Sequence, residues 1–225
     1  PKLAYVPEYI RKECFAKYSD PLEASAEALL CFNRALIDAL YDIVPAIKPQ
    51  AAYYEMYGWQ GVRALTETIR YAKEKGMIVM TDGKRNDIGA TMEAYATAHL
   101  GVTATDAGKV SAFDADMLTV NGYLGTDGIT PLLNVCKERD RGIFVLVKTS
   151  NRSSGELQDK MIGSKRVYEV MGDMCEAWGA DTIGKYGYSA VGAVVGATYP
   201  EQLTELREKL PHTFFLVPGY GAQGG

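Results

Sequence analysis

The segment DGKRNDIGAT, residues 82–91, is rich in charged residues and directly follows the apolar run MIVMT at residues 77–81. Asp82 and Lys84 are two positions apart, so they point to the same side if the strand predicted for MIVMT continues through Lys84. Asp87 follows three residues later. Charges at the end of a buried strand need either solvent or one another. The segment is therefore either a solvated ion pair or one side of a charged pocket.

A second lysine, Lys48, ends another apolar run at residues 43–48. If the two strands are neighbours, Lys48 joins Asp82, Lys84 and Asp87 at one edge of the sheet, where each charge keeps its neighbour ionised. Two lysines and two aspartates in one place exceed what a fold needs for stability. The pattern favours a functional site.

Three further polar or glycine-rich segments follow predicted strands. VPGYGAQGG at 217–225 offers backbone N–H groups that no side chain shields, which is typical of a phosphate site. KTSNRSSGE at 148–156 predicts either an ordinary turn or a hydrogen-bonding surface for a planar polar ligand. TVNGYLG at 119–125 has the same two interpretations, and in the simpler one Asn121 holds a loop.

Strands and helices that would position these residues alternate along the chain. Short, nearly continuous apolar runs are typical of parallel strands buried on both faces, and helical periodicity separates them. The predicted strands cover residues 43–48, 77–82, 117–121, 143–148, 191–195 and 214–218. The predicted helices cover residues 21–41, 59–75, 88–100, 128–137, 164–179 and 200–209.

Repeated strand–helix units are compatible with an open doubly wound sheet or with a closed (β/α)8 barrel. Polar residues follow nearly every predicted strand, and a barrel collects such residues around one mouth, whereas an open sheet uses mainly one switch point. We therefore predict a single (β/α)8 TIM barrel domain over residues 1–225. Its first and last strands are expected to be missing, because the chain starts at Pro1 without methionine and stops at Gly225 within a glycine-rich loop.

The composition argues against several classes of protein. The 225 residues carry a net charge of -4 with no long basic run, so nucleic acid is not an expected partner. No apolar run reaches the length of about 18 residues that predicts a membrane span, and no signal peptide is predicted. Four scattered cysteines and two histidines predict neither a disulfide framework nor a zinc site, which favours a cytoplasmic protein. We interpret the cysteines, His99 and the tyrosines Tyr53, Tyr54 and Tyr57 as structural.

The motif D-x-K-x-x-D-I at 82–88 resembles the signature of the orotidine 5′-phosphate decarboxylase family. Other segments resemble the bacterial branch of that family with the longer chain. They are AIKPQAAYYE at 46–55, MLTVNGYLG at 117–125, LVKTSNRSSGELQ at 146–158, GKYGYSAVGAVVGAT at 184–198 and VPGYGAQGG at 217–225. The resemblance covers essentially the whole sequence in order.

The resemblance implies a homodimeric (β/α)8 barrel that converts orotidine 5′-monophosphate to uridine 5′-monophosphate and carbon dioxide. This is the last step of de novo pyrimidine synthesis and needs neither metal nor cofactor. By position, Lys48, Asp82 and Lys84 correspond to the charged array of one site. Asp87 and Thr91 correspond to residues that reach the site of the partner subunit.

The resemblance also implies the substrate contacts. Ser150 corresponds to a residue that contacts the pyrimidine, and Gln223, with Gly224 and Gly225, corresponds to the phosphate loop. The family has a ribose-binding aspartate just before the position of Pro1 and a phosphate-binding arginine beyond the glycine loop. Neither is in this sequence, so activity is expected of the complete chain.

Two alternative functions remain open from the sequence. A magnesium-dependent sister enzyme of the hexulose-phosphate synthase type shares D-x-K-x-x-D, but such relatives have a carboxylate where this chain has Lys48, and a lysine would repel the cation. The other is a phosphate-ligand binding barrel without turnover, although a binder gains nothing from opposed lysines and aspartates. Turnover that is insensitive to chelators would exclude the magnesium-dependent enzyme. A fall in ultraviolet absorbance when the full-length protein meets orotidine 5′-monophosphate would exclude the binding protein without turnover.

Overall fold

The structure is a computed structural model that describes residues 2–221. The helices in this range are α1 (Glu8–Lys17), α2 (Pro21–Leu40), α3 (Ala52–Glu55), α4 (Gly58–Glu74), α5 (Gly89–His99), α6 (Thr126–Arg139), α7 (Val167–Gly179) and α8 (Pro200–Lys209). The strands are β1 (Ala46–Ile47), β2 (Ile78–Arg85), β3 (Thr103–Thr105), β4 (Gly108–Val110), β5 (Met117–Val120), β6 (Gly142–Lys148), β7 (Met161–Ile162), β8 (Lys165–Arg166), β9 (Val191–Val195) and β10 (Phe215–Leu216). None of the helices within residues 2–221 is both long and apolar enough to cross a membrane.

The strands of the main sheet lie side by side in their order along the chain, as expected from repeated strand–helix units. The main sheet has the order β1-β2-β5-β6-β9-β10, and the pairs β1–β2, β6–β9 and β9–β10 are parallel. The chain forms two compact units: the first comprises residues up to Gly83 together with Thr97–Leu118, and the second comprises Lys84–Ala96 and the residues from Thr119 onward. Both β2 and β5 therefore begin in the first unit and end in the second.

The first unit is built around α2, α4 and the strands beside them. Asp20 begins α2 by accepting a hydrogen bond from the Leu22 N–H at 3.0 Å, and Pro21 occupies the first turn, where its missing N–H costs nothing. Buried residues of α2 recur at helical spacing, including Leu30 and Ile37, and pack in one apolar cluster with residues of α4 and with Val79 of β2. This apolar cluster packs β2 against the two helices and so holds the strand in place.

The second unit contains the central pair β6–β9. Its register pairs Ile143 with Val191 and Leu146 with Val194, and then shifts so that Lys148 pairs with Val195. The shift adds one residue to β6, and such bulges bend a strand and change the direction of the side chains that follow. The bulge lies directly before the polar segment 149–156 and therefore affects the direction of the side chains at the end of β6.

The predicted elements agree with the structure in order and type, with differences at their ends. Residues 191–195 and 200–209 form β9 and α8 as predicted. The strand predicted at 43–48 is wrong in length, because only Ala46–Ile47 pairs with β2. The helix predicted at 164–179 starts too early, because residues 161–166 form the antiparallel hairpin β7–β8 with Gly163 at φ +63°.

Helix α1 and the hairpin β3–β4 are among the elements that were not predicted. Helix α1 buries only Ile10 and Cys14, which gives it too narrow an apolar stripe for recognition by periodicity. The hairpin β3–β4 has three residues in each strand, too few for alternation to be recognised. Neither element carries a predicted site residue.

Candidate active site

The strand-end charges of the first unit form a direct ion pair. Lys48 follows β1, and its Nζ lies 2.9 Å from Oδ2 of Asp82 in β2. Asp82 is 7% exposed, so its carboxylate is almost withdrawn from water, whereas the Lys48 side chain keeps 35% of its surface. The backbone holds the two strands together here, since the Asp82 N–H donates to the Pro49 carbonyl at 2.9 Å. The prediction that Lys48 and Asp82 meet is confirmed.

Gln50 is a member of this cluster that the sequence analysis missed. Its Nε2 donates to the same Asp82 Oδ2 at 2.9 Å, and its Oε1 accepts the Ala52 N–H at 3.3 Å. Because the Ala52 N–H can only donate, it fixes which end of the Gln50 amide faces Asp82. The signal was in the sequence, since Gln50 lies two residues after Lys48, the same spacing that drew attention to Asp82 and Lys84.

A cavity of about 320 Å³ opens beside this cluster within the first unit. Lys48, Gln50 and Tyr53 line it together with apolar side chains such as Leu36 and Ile47. A partly exposed ammonium at the wall of a cavity can meet an anionic group of a ligand, while the hydrogen bond to Asp82 holds the ammonium in its orientation.

Lys84 occupies the second unit, at the end of β2. The strand does continue through Lys84, as the sequence analysis required, since β2 ends at Arg85. The residue has a left-handed backbone with φ +48°, however, which the alternation rule does not anticipate. Its N–H donates to Thr119 Oγ1 at 3.0 Å, and its side chain is exposed. Only Gly83 separates Lys84 from Asp82, so chain connectivity keeps their Cα atoms within about 7 Å.

Asp87 and Thr91 lie at the start of α5 in the second unit. Asp87 is half-buried, and its Oδ1 accepts the N–H of Ile88 at 2.8 Å. Thr91 is exposed on the first turn, and the apolar Ile88 between them is 50% exposed. The structure therefore presents Thr91 and Ile88 on an accessible surface.

Ser150 follows β6 in a segment that buried contacts hold in place. The Ser150 carbonyl accepts the Thr198 hydroxyl at 3.2 Å, and the backbone at Gly196 approaches so closely that an added Cβ would lie 2.8 Å from the Ser150 Cα. A side chain at position 196 would push the segment away. The close approach fixes the position of Ser150.

Lys148, two residues before Ser150, is buried, which the sequence analysis did not anticipate. Lys148 is fully buried, and its Nζ lies 2.7 Å from Asp159 Oδ1 and 4.4 Å from the ring centre of Tyr199. Burying an ammonium is costly without a charge partner, and Asp159 provides one while the ring adds a cation–π contact. The pair closes residues 149–158 into a loop that presents Ser150.

Most of the residues interpreted as structural are buried, but Cys31 and Tyr53 are exposed. All four cysteines are free, and burial raises the pKa of Cys136 to about 12. His99 is buried and stacks on Phe113 with 4.7 Å between the ring centres. Asn121 holds its loop, because its Oδ1 accepts the Tyr123 N–H at 3.0 Å. Tyr54 and Tyr57 are buried, but Tyr53 is 38% exposed at the cavity described above.

The predicted phosphate residues Gln223, Gly224 and Gly225 lie outside the described residues. Their role stays a prediction. Among residues 2–221, no three His, Cys, Asp or Glu side chains are grouped so that they could hold a metal ion.

The sequence matches one family model and a set of named relatives. The model is described as the orotidine 5′-phosphate decarboxylase / HUMPS family and matches residues 24–225. The orotidine 5′-phosphate decarboxylase of Rhodopirellula baltica is 46% identical over 225 residues, which are the whole chain and 72% of that protein. The corresponding protein of Caldicellulosiruptor bescii is 44% identical over 220 residues, 98% of this chain and 72% of that protein.

Solved structures give the same result for the fold. A putative orotidine-monophosphate decarboxylase from Toxoplasma gondii matches with a TM-score of 0.79 and 30% identity, covering the whole chain and 73% of that structure. The OMP decarboxylase of Leishmania donovani matches with a TM-score of 0.74 and 35% identity, covering 88% of this chain and 70% of that structure. These matches confirm the predicted (β/α)8 barrel class.

Proposed function

Because the chain belongs to the orotidine 5′-phosphate decarboxylase / HUMPS family, we propose that it converts orotidine 5′-monophosphate to uridine 5′-monophosphate and carbon dioxide, the last step of de novo pyrimidine synthesis. The structural observation that carries this proposal is the 2.9 Å pair between Lys48 and the nearly buried Asp82. Such a pair at a strand end is suited to a reaction in which negative charge is bound and redistributed.

The chemistry explains why lysines and aspartates are opposed. Loss of carbon dioxide from C6 of the pyrimidine leaves a carbanion on a ring with no ready electron sink, so the enzyme must stabilise negative charge as it forms. We assign this role to the Lys84 ammonium, which also delivers the proton to C6. Asp82 faces the substrate carboxylate, and departure of carbon dioxide relieves their repulsion. Lys48 pairs with Asp82 and holds it in place.

The substrate is held by groups that do not react. We assign the pyrimidine to Ser150, which the Thr198 contact and the close approach of Gly196 hold in place. The phosphate is assigned to Gln223, Gly224 and Gly225 on the basis of the family resemblance. Phosphate binding far from C6 supplies energy that closes the site around the base. Gln223→Ala should therefore mainly raise KM.

The Lys48–Asp82 pair favours decarboxylation over the magnesium-dependent chemistry of sister enzymes. A divalent cation at Asp82 would compete with an ammonium that already occupies Oδ2 at 2.9 Å. We therefore assign no metal or cofactor to the reaction. Turnover should persist in excess chelator, and a strict requirement for magnesium would contradict this assignment.

The direct test uses the full-length protein with orotidine 5′-monophosphate, whose conversion lowers the ultraviolet absorbance. Lys84→Ala should abolish turnover and leave the fold intact, because the lysine stabilises a charge that exists only in the transition state. Near-normal turnover of Lys84→Ala would remove Lys84 from the mechanism. No absorbance change with the wild-type protein would refute the proposed function itself.

We also propose that the protein is a cytoplasmic homodimer, in which Asp87 and Thr91 of each subunit reach the active site of the other. The exposed surface at the start of α5, with Ile88 half exposed, supports an interface there. The four free cysteines fit a reducing compartment. In a two-fold dimer each subunit gives the other what it receives.

Subunit exchange tests the shared site. Lys84→Ala and Asp87→Ala should each be nearly inactive, but about half the dimers in an exchanged mixture are heterodimers, in which one site carries both lesions and the other neither. The mixture should recover roughly a quarter of wild-type activity per site. Lys84→Ala mixed with Lys48→Ala is the matched control and should recover nothing. If the first mixture stays inactive although tagged subunits exchange, Asp87 acts within its own chain.

A further inference from the structure

Lys84 has a backbone conformation that side-chain-bearing residues seldom adopt. Its φ of +48° lies in the left-handed region, where Cβ crowds the following carbonyl group. The neighbouring Gly83 could take such a conformation without strain, yet the turn falls on the lysine. Residues held this way persist only where their surroundings impose the conformation, and they cluster at functional sites.

The hydroxyl of Thr119 is the group placed to impose this turn. Thr119 Oγ1 accepts the Lys84 N–H at 3.0 Å from the adjacent strand β5. Thr119 is 1% exposed, so water does not compete for the hydrogen bond. The next contact along the same strands is between backbones, with the Asn121 N–H donating to the Arg85 carbonyl at 3.1 Å. A side-chain oxygen thus accepts the N–H at the residue where β2 turns.

The direction of the Lys84 side chain depends on this turn. The Cα–Cβ bond follows the backbone, so a return to extended φ would swing the whole side chain away from its present course. We propose that Thr119 is a positioning residue whose hydroxyl holds Lys84 in the left-handed conformation and so aims its ammonium group. The inference rests on the proposed function for the reaction that Lys84 serves.

The choice of threonine fits this task. A β-branched side chain has few χ1 rotamers in a strand, which restricts the directions that the hydroxyl can take. Valine has the same shape without the acceptor, and serine has the acceptor without the second branch. The pair Thr119→Val and Thr119→Ser therefore separates the hydrogen bond from the packing.

The kinetic test compares these variants with wild type in orotidine 5′-monophosphate turnover. Thr119→Val should lower kcat by about 10- to 100-fold, the range expected when a reacting group is displaced by about 1 Å, with KM nearly unchanged. Thr119→Ser should recover most of the kcat. Thr81→Val is the matched control, since Thr81 is a fully buried threonine of β2 whose hydroxyl has no partner within the described residues. Its kcat should equal that of wild type.

A stability measurement tests the same contact without relying on activity. Glycine keeps the left-handed conformation without the hydrogen bond, whereas alanine can relieve its strain by leaving it, so Thr119→Val should lower the urea midpoint more in a Lys84→Gly background than in a Lys84→Ala background. Equal losses in the two backgrounds overturn the inference. So does a Thr119→Val kcat within about 2-fold of wild type, or a Thr119→Ser kcat as low as that of Thr119→Val. If wild type does not decarboxylate the substrate, the proposed function fails, and the stability cycle still decides the role of Thr119.

Discussion

Gln50→Leu should impair catalysis by loosening Asp82. Gln50 donates to the same Asp82 oxygen as Lys48, each at 2.9 Å, and the Ala52 N–H fixes its orientation. The substitution removes one of these donors and keeps the volume of the side chain nearly unchanged. Asp82 remains paired with Lys48 but can rotate.

The magnitude follows from the burial of Asp82. A hydrogen bond to a charged group contributes about 1.5–3 kcal/mol, and at 7% exposure little water can replace the lost donor. We expect Gln50→Leu to lower the free energy of unfolding by about 2 kcal/mol and kcat by about 10-fold, with a smaller change in KM. Gln50→Glu should be worse at pH 7, because it places a second carboxylate against the first. Its deficit should shrink as the pH falls and the introduced carboxyl group is protonated.

The control is another glutamine–aspartate contact in the same unit. Gln60 Nε2 donates to Asp20 Oδ2 at 2.8 Å, and Gln60 is as buried as Asp82. Because Asp20 is exposed and water can replace the lost donor, Gln60→Leu should cost less stability than Gln50→Leu in urea unfolding and leave kcat unchanged. The reasoning is refuted if Gln50→Leu turns over at the wild-type rate, or if Gln60→Leu loses as much kcat as Gln50→Leu.

Two further predictions concern charges of the second unit. Lys148 is fully buried, whereas the side chain of its partner Asp159 is 38% exposed. Asp159→Asn leaves the buried ammonium unpaired, so it should lower the free energy of unfolding in urea by about 3 kcal/mol, which is more than Lys148→Met should cost. The reverse order of the two variants would contradict this account of the pair. The Lys209 ammonium at 2.7 Å and the N–H of Arg166 lower the pKa of Glu169 to about 2 from its usual 4.5. A lowered folded-state pKa adds stability that is present above the unfolded pKa and is lost as the pH falls through the folded pKa. Glu169→Gln should therefore cost about 1 kcal/mol at pH 7, because Lys209 is partly solvated, and progressively less as the pH falls from about 4.5 towards 2. An unfolding difference that does not change with pH would refute this origin.

The sequence determined the element types and the chemistry at their ends. Continuous apolar runs such as 191–195 and helical spacing such as 200–209 depend on neighbouring residues, and the structure has β9 and α8 within those bounds. The charged positions Lys48 and Asp82 were also evident, because charges at the ends of buried strands need partners. Their meeting at 2.9 Å follows from parallel strands whose ends share one edge.

The tertiary structure decided which side chains complete these charges. Gln50 acts on Asp82 across 32 residues, and Thr119 acts on Lys84 across 35 residues. The spacing of Gln50 from Lys48 could suggest Gln50 as a site residue, but no local pattern shows its contact with Asp82 or the contact of Thr119 with Lys84. The left-handed backbone of Lys84 violates the local preference of lysine and exists only because its surroundings hold it. Lys148 shows the same principle, since a lysine at a strand end is expected in solvent and becomes a buried anchor only when Asp159 and Tyr199 enclose it. Periodicity is a property of neighbours in the chain, whereas partners across the sheet depend on strand order, register and bulges, which only the folded chain defines.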